Sequence, residues 1–499
     1  MDRQVVSVIH PVLEKQEEYV ISGDFVLPEY CPDIAVVLKC MVTPYVNNRQ
    51  WSNGQLLLDG IAVVRVLYLD EERRCVREAE FSHPLSCTLR ADTAQAPVAR
   101  IAFRQEYVNC RATSPRRLEV RGAYAVMATA YDMQTNELLS EEQQAGLHYR
   151  TVQAATSLLK VSTERVLALS DVIDFEAPAE LLLGGDCWAV VQECKLLAGK
   201  AIVKGQVFDH QLYAGDSEEG KVRVIDHTIP FSQIVDLPGA EESDRCVAEV
   251  SVLSDSHRCA INAEGVNTAL EINLKLLIQV QVLATQTMTL VQDAYHTHYP
   301  SALTQQDVMM RCYLGTHRET LPWQKRLELP DGEVGEILDI WAYPGAATCC
   351  CADAAVRVDC RLHICMLVRD GNGAIAYYER PEELETEFPC DGNTASAAVA
   401  VQSVSYTVVS GHLELRIGLN VNIEQWIESS VCAVQDLTLK TEEPYEADRA
   451  SIRLYYAQPG ERIWDIARDC HTSPAAIMHE NDINGDVTER RVLVVPMCE

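Results

Sequence analysis

Cysteine is the residue type whose number first suggests chemistry. The chain holds 19 cysteines, and no two of them have the CxxC spacing of a zinc site or a thioredoxin-like redox site. The densest group is Cys349-Cys350-Cys351, with Cys360 and Cys365 downstream. Neighbouring residues of a strand point to opposite faces, so three consecutive thiols cannot all reach one ion. We therefore predict no metal site and mostly reduced, partly buried thiols. Oxidative cross-linking within an assembled layer is the alternative hypothesis.

Histidines and carboxylates form two further groups that could bind a ligand or transfer a proton. His296 and His298 are two residues apart and are predicted to share a strand face, but the sequence places no third ligand beside them. A run of four carboxylates comprises Glu382, Glu383, Glu385 and Glu387. We interpret that run as a solvated strand edge. The motifs GxSxG, HExxH and the glycine-rich phosphate loop do not occur. We therefore predict a protein that is not an enzyme, without a catalytic residue, a cofactor or a metal ion.

The elements that position these residues follow a repeat of roughly 150 residues. An acidic-apolar segment occurs at Phe25–Cys40, Ala177–Cys194 and Leu327–Ala342. Each of the three is followed by a pair of apolar, strand-like segments. A polar turn then leads into RRLEVRGAYAVMATAYD, TALEINLKLLIQVQVLA or HLELRIGLNVNIEQWIE, and the second copy is the most diverged in its first landmark. The predicted modules are residues 1–150, 151–300 and 301–440.

Alternating apolar and polar residues predict strands inside each copy. The segment Leu413–Leu419 reads LELRIGL, and apolar residues at every second position are typical of a half-buried strand. Asp370–Gly373 lies between two apolar segments and indicates a hairpin turn, because Gly and Asn accept a positive φ at little cost. Each copy is therefore predicted to be an antiparallel β domain of the sandwich type. The lead-in segments Thr151–Leu169 and Ala302–Tyr313 are compatible with strands or with single helices.

The chain changes character after the polar segment Lys440–Arg449, which we interpret as a linker. Ile463, Ile466 and Ala467 have the spacing of one helix face. Ser473-Pro474 provides an N-cap and a first residue for a second helix. Apolar segments before and after complete a predicted βααβ unit over residues 452–499. The predicted fold class is mainly β, with three antiparallel sandwich-like repeats and this small C-terminal α+β unit.

The C-terminal segment resembles a LysM domain. The matching positions are Tyr455, Pro459-Gly460, the Trp464-x-Ile466-Ala467 sequence, Ile477, Asn481, Ile483 and Leu493–Pro496. In LysM domains the ligand groove lies between the loop after the first strand and the loop after the second helix. The resemblance therefore implies a binding groove formed by Pro459, Gly460, Glu461, Arg462, Ile463, Trp464, Asn481, Asp482, Ile483, Asn484 and Gly485.

Two basic residues distinguish this segment from the usual LysM pattern. Arg462 replaces a small Thr in the first loop, and Arg490 replaces the Gly that usually precedes the last strand. Long basic side chains would crowd a flat sugar, whereas they suit an acidic protein surface. We therefore favour a protein partner over peptidoglycan.

Repeats that contain Leu27-Pro28-Glu29 and Pro32-Asp33-Ile34, followed by one LysM domain, resemble SipL-like spore coat proteins with SPOCS domains. The resemblance covers nearly the whole chain and is weakest in the second repeat. It implies a scaffold made in the mother-cell cytoplasm and recruited to the forespore surface during coat assembly. Its implied partner is the coat-morphogenetic ATPase, bound through the LysM domain, with other coat proteins as further candidates. The alternative is a protein that binds peptidoglycan or another glycan through the LysM groove.

Charge and hydropathy exclude several other classes of ligand. The 42 basic and 73 acidic residues give a net charge of −31, which argues against nucleic acid and anionic membranes as ligands. The N-terminal sequence lacks the apolar core of a signal peptide. Even the most apolar stretch, Leu274–Ala284, is interrupted by Gln279 and Gln281, so no segment reaches the roughly 18 apolar residues of a membrane span. We therefore expect a cytosolic protein without a membrane span.

Overall fold

The structure is a computed structural model that describes residues 2–72, 75–91, 93, 97–142, 144–215, 221–329, 334–409, 411–446 and 452–496. In this part of the chain the protein is mainly β, with 19 strands and two short helices. None of its described helices is both long and apolar enough to cross a lipid bilayer.

The strands form three sets that we call the first, second and third module. The first module contains β1 (Arg3–Val26), β2 (Ile34–Ser52), β3 (Gln55–Asp70), β4 (Val76–Arg90), β5 (Arg100–Ser114) and β6 (Arg117–Leu139). The second contains β7 (Leu147–Leu197), β8 (Lys200–Gly215), β9 (Val222–Asp236), β10 (Arg245–Ile261) and β11 (Asn267–His296). The third contains β12 (Ser301–Glu328), β13 (Val334–Ala352), β14 (Ala355–Asp370), β15 (Ile375–Pro389), β16 (Thr394–Val409) and β17 (His412–Leu439).

A fourth part, the C-terminal unit, contains β18 (Ile452–Ala457), α1 (Ile463–Asp469), α2 (Pro474–Glu480) and β19 (Arg491–Pro496). Its strands form a two-stranded antiparallel sheet.

The strand order is the same in the three modules. The first module has the sheets β1-β6-β5 and β2-β3-β4, and the third has β12-β17-β16 and β13-β14-β15. In the second module the 51-residue strand β7 pairs with β11 through its first part and with β8 through its last part. It therefore joins the two sheets into β10-β11-β7-β8-β9. The lead-in segments Thr151–Leu169 and Ala302–Tyr313 are strands, within β7 and β12. The sequence boundaries proposed for the modules stay a prediction.

Each module buries an apolar layer between its two sheets. In the first module Leu58 and Val66 of β3 lie in one cluster with Leu118 and Val126 of β6. In the third module the alternate residues of Leu413–Leu419 are buried, which confirms the predicted strand face. The predicted hairpin is also confirmed, because Asp370 Oδ1 accepts hydrogen bonds from the backbone N–H groups of Asn372 and Ala374, both at 2.8 Å.

The three modules also share apolar clusters with one another. One cluster combines Leu38 of the first module, Leu183 of the second and Leu338 of the third. Another places Tyr131 against Trp426, with ring centroids 5.3 Å apart. Modules that bury apolar surface against each other form one body, since separating them would expose this surface to water.

A buried arginine connects all three modules. Arg100 of the first module pairs with Glu424 of the third through two hydrogen bonds, one of them 3.0 Å long. Its Nε also lies 3.9 Å from a carboxylate oxygen of Glu249 in the second module. The guanidinium is thus paired with the carboxylate of Glu424, which is the condition for burying charge, and Glu249 adds a second attraction.

Replacing this arginine tests whether the junction holds the modules together. We expect Arg100→Met to lower the stability by roughly 3–5 kcal/mol, because the partly buried Glu424 then loses the cation that it pairs with. Urea-induced unfolding, followed through tryptophan fluorescence, measures the change. Arg121→Met is the matched control, since Arg121 is exposed and a surface ion pair contributes only about 0–1 kcal/mol. Equal unfolding midpoints for the two variants would contradict the proposed importance of Arg100.

A histidine joins the second module to the third. His210 Nε2 lies 2.9 Å from Asp339 Oδ2, and Nδ1 lies 2.7 Å from Asp226 Oδ1. Burial alone lowers the pKa of His210, but the two carboxylates outweigh this effect and raise the pKa well above its usual value. The imidazole is therefore held in its protonated form, in which both nitrogens donate.

This raised pKa predicts a pH dependence. A raised folded-state pKa stabilises the protein fully below the unfolded value of about 6.5, and the contribution is lost as the pH rises through the folded value. His210→Gln should therefore remove a part of the stability loss that the wild type shows as the pH rises above about 6.5. Urea midpoints across this range measure the difference, with the exposed His479→Gln as the control. Identical pH slopes for wild type and His210→Gln would contradict the assignment.

Candidate functional site

The C-terminal unit folds around one small core. Ile463, Ile466 and Ala467 of α1 are buried against Leu493 and Val495 of β19, which confirms the predicted helix face. Ser473 caps α2 by accepting a hydrogen bond from the backbone N–H of Ala476 at 3.5 Å, and Pro474 is the first helical residue. The order β18-α1-α2-β19 is the one that the sequence predicted.

The two loops of the predicted groove lie side by side. The backbone N–H of Gly460 donates to Val487 O at 2.8 Å, and the backbone N–H of Val487 donates to Glu461 O at 3.0 Å. Six of the predicted groove residues are exposed: Pro459, Gly460, Arg462, Asp482, Asn484 and Gly485. Glu461 and Ile483 are partly exposed. These eight residues are accessible to a ligand.

Two of the predicted groove residues serve the fold of the unit instead. The side chain of Ile463 is 3% exposed and belongs to the core. The amide of Asn481 donates to Ile477 O at 2.8 Å and to Val494 O at 2.7 Å, and it accepts from the backbone N–H of Val494 at 2.7 Å. Asn481 therefore ties α2 to β19. Substituting either residue would loosen the unit and could not by itself locate a groove.

Trp464, the remaining predicted groove residue, binds the second module. Its Nε1–H donates to Asp293 Oδ2 at 2.8 Å, and its ring lies 5.0 Å from the ring of Tyr295. Arg468 donates to the same carboxylate oxygen at 2.9 Å. The Tyr295 hydroxyl donates to Thr472 O at 2.6 Å. The unit is therefore docked on β11, and in this arrangement Trp464 is occupied by an intramolecular contact.

The end of β11 and the described part of the linker add to this docking surface. Tyr445 stacks on His471 with ring centroids 3.6 Å apart, and its backbone N–H donates to His298 O at 2.9 Å. Strand β11 ends at His296, so His298 lies beyond it and the predicted shared strand face is wrong. The backbone N–H of His298 instead donates to His296 Nδ1 at 2.9 Å.

The outer face of the β18-β19 sheet is apolar and exposed. Register places Leu454 opposite Val494 and Tyr456 opposite Val492, and paired residues of an antiparallel sheet point to the same side. Leu454 is 59% and Tyr456 73% exposed, and Ile452 and Val492 on this face are exposed too. We call Ile452, Leu454, Tyr456 and Val492 the outer sheet face. Apolar residues occur at every second position from Ile452 to Tyr456. The aromatic Tyr455 lies between two of them, so the alternation of apolar and polar residues was hard to recognise in the sequence.

The LPE-x-x-PDI segment of the first module is held by one arginine. Arg116 donates to Pro28 O at 2.8 Å, to Cys31 O at 3.1 Å and to Asp33 Oδ1 at 2.5 Å. Leu27 is buried. These contacts with Arg116 hold the LPE-x-x-PDI segment in a loop, so the segment has a structural role.

The remaining candidate residues are the cysteine run and the acidic run of the third module. In the described ranges no group of three or more His, Cys, Asp or Glu residues is placed to hold an ion. Cys349 and Cys351 pack against the core of the third module while Cys350 is exposed, as opposite strand faces require. The predicted solvated carboxylate edge is wrong for Glu382, which is buried and paired with Lys325 and Arg380.

A cavity of about 610 Å³ lies where the three modules meet, which is within the usual size range of small-molecule sites. Arg104 of the first module and Asp186 and Glu249 of the second are among its lining residues. Burial lowers the pKa of Arg104 and raises the pKa of Asp186 and of Glu249. Charges of both signs therefore face the cavity, and they do not select one class of ligand.

One comparison with known proteins gives a match. Residues 179–256 match the family model described as SipL, SPOCS domain. The match runs from β7 to β10 of the second module, where the resemblance in the sequence is weakest. It supports a sporulation-related, SipL-like protein at the level of this domain. No curated protein and no solved structure matches the chain. The resemblance of the C-terminal unit to LysM domains stays a prediction.

The docking of the C-terminal unit depends on Asp293, which is 6% exposed. We expect Asp293→Ala to loosen the contact by roughly 1.5–3 kcal/mol, the range for hydrogen bonds to a charged group. The linker Lys440–Arg449 should then be cleaved faster in limited proteolysis. Glu480→Ala is the control, because Glu480 is exposed at the end of α2 and takes no part in the described contacts between α1 and β11. Equal cleavage of wild type and Asp293→Ala would contradict the docking role.

Proposed function

We propose that this chain is a non-enzymatic adaptor in endospore coat assembly. It is made in the mother-cell cytoplasm, and its C-terminal unit docks on the coat-morphogenetic ATPase at the forespore surface. The SPOCS match in the second module supports the link to sporulation. The ATPase, the localisation and the scaffold role rest on the resemblance of the whole chain to SipL-like proteins, and the experiments below test them.

The observation that carries the docking proposal is the outer sheet face. Apolar side chains gathered on one exposed surface mark interaction sites, because they gain from leaving water. Three of its four residues, Leu454, Val492 and Ile452, have no polar side-chain groups and cannot hydrogen-bond the hydroxyls of a sugar, so only the Tyr456 hydroxyl is available for this. A folded protein surface offers the apolar area that these residues need. The outer sheet face therefore favours a protein partner over a glycan.

The docked arrangement leaves the outer sheet face available. α1 contacts the second module through Trp464 and Arg468, whereas the outer side of the sheet is exposed. The three modules would then act as a spacer that presents the C-terminal unit. Weak contacts made by several parts of one adaptor increase its local concentration at the assembly site.

A charge placed on the outer sheet face tests the proposal. We expect Leu454→Glu to reduce retention of the ATPase roughly tenfold or more in a pull-down from sporulating cells, since a central apolar contact contributes about 2 kcal/mol or more. Because Leu454 is exposed, the substitution should leave the fold of the unit intact, and circular dichroism checks this. A chain ending at Thr441 serves as the negative reference.

The matched control places the same change in the predicted groove. Asn484→Glu alters an exposed loop residue and should leave ATPase retention unchanged. Retention that is lost in Asn484→Glu and kept in Leu454→Glu would move the partner site to the groove. If purified peptidoglycan is retained and the ATPase is not, the glycan-binding alternative replaces the adaptor proposal.

A further inference from the structure

Each of the three modules brings two thiols together from different parts of its sequence. In the second module Cys194 Sγ and Cys246 Sγ lie 3.0 Å apart. In the third, Cys351 Sγ and Cys390 Sγ lie 4.0 Å apart. In the first, Cys40 and Cys110 lie in one apolar cluster, and each thiol shifts the pKa of the other. We call these the three thiol pairs.

Two of the pairs join strands that are not neighbours in a sheet. Cys40 lies on β2 and Cys110 on β5, which belong to the two different sheets of the first module. Cys194 lies on the last part of β7, which pairs with β8, and Cys246 lies on β10 at the far edge of the sheet. A covalent bond at either place would fasten one layer of the module to the other.

In two of the pairs one thiol is prepared to act as a nucleophile. The hydrogen bond from Cys194 lowers the pKa of Cys246, and the hydrogen bond from Cys40 lowers the pKa of Cys110. A thiolate, and not a thiol, attacks an oxidant or a disulfide. In the third pair burial raises the pKa of Cys351 to about 11, so this pair should react more slowly.

We propose that the three thiol pairs are sites of intramolecular disulfide formation by hydrogen peroxide. The thiolate of Cys246 attacks one peroxide oxygen, the O–O bond breaks, and a sulfenic acid forms while hydroxide leaves and is protonated to water. The sulfur of Cys194 then attacks the sulfenic sulfur, the S–O bond breaks, and a second water leaves with the thiol proton. Two thiols are oxidised to one disulfide and one peroxide is reduced to two waters. The same steps apply to Cys110 with Cys40, and more slowly to the third pair.

This inference does not depend on the proposed adaptor function. It predicts that the pairing of thiols, and not their exposure to solvent, decides which of them are oxidised first. Cys350 and Cys432 are the thiols that the described residues leave exposed. If exposure alone governed oxidation, these two would react first and link separate molecules. If pairing governs it, the half-buried pairs react first, because each partner thiol is held at a high effective concentration.

The experiment treats the reduced full-length protein with hydrogen peroxide. The remaining thiols are then alkylated, and peptides are mapped by mass spectrometry without reduction. We expect peptides that link Cys194 to Cys246 and Cys40 to Cys110 to appear first, each with a loss of about 2 Da for the two hydrogens removed. The peptide that links Cys351 to Cys390 should follow, and the protein should remain monomeric on a non-reducing gel during this phase.

Two variants sharpen the assignment. Cys246→Ser should leave Cys194 alkylated in full while the linkage of Cys40 to Cys110 still forms, which also shows that the variant is folded. Cys432→Ser should leave all three linkages unchanged. The proposal is overturned if the wild-type chain yields mainly intermolecular links through Cys350 or Cys432, or random pairings, while Cys194 and Cys246 are recovered alkylated.

Discussion

The structure depends on burying one positive charge between three modules of the same strand order. Arg100 comes from the first module, and its carboxylate neighbours Glu249 and Glu424 come from the other two. A buried ion pair adds little net stability compared with apolar residues, but removing one partner is strongly destabilising. We therefore interpret this cluster as the interaction that specifies which faces of the modules pack together. Apolar clusters such as the one around Leu38, Leu183 and Leu338 supply the driving force.

Polar residues at the other contacts between modules are also paired across the interface. Gln279 and Gln281 interrupt the most apolar stretch of the sequence, and both amides donate to the backbone of the first module, at Ala99 O and Val98 O. Both ring nitrogens of His210 likewise bind carboxylates, one in the second module and one in the third. An unpaired polar group would be costly at these interior positions, so each wrong packing of modules is penalised. The C-terminal unit is docked by the same kind of contact, through the buried Asp293.

The sequence predicted correctly those features that depend on local patterns of residues. The alternation in Leu413–Leu419, the turn at Asp370–Gly373 and the helix face of Ile463, Ile466 and Ala467 depend on neighbours within a few residues, and the structure has all three. The long strand β7 was only partly readable, since its first part was compatible with a helix. Nothing local could predict that Trp464 packs on Tyr295, because this contact spans more than a hundred residues. Glu382 was misread for the same reason, since Lys325, one of its cationic partners, comes from another strand.

The docking of Trp464 changes which surface of the C-terminal unit can serve a partner. In the predicted groove Trp464 contacts the second module, and Ile463 and Asn481 serve the unit's own fold. Four of the eight accessible groove residues are polar: Glu461, Arg462, Asp482 and Asn484. Polar, solvated loops gain little free energy on binding unless every hydrogen bond is replaced. The side chains of the outer sheet face are apolar and exposed to water, so covering them with a partner lowers the free energy. Because the unit is fixed to a large body by α1, a partner bound at the opposite sheet would also be positioned relative to all three modules. A rigid connection of this kind distinguishes an adaptor from a binding domain on a flexible tether.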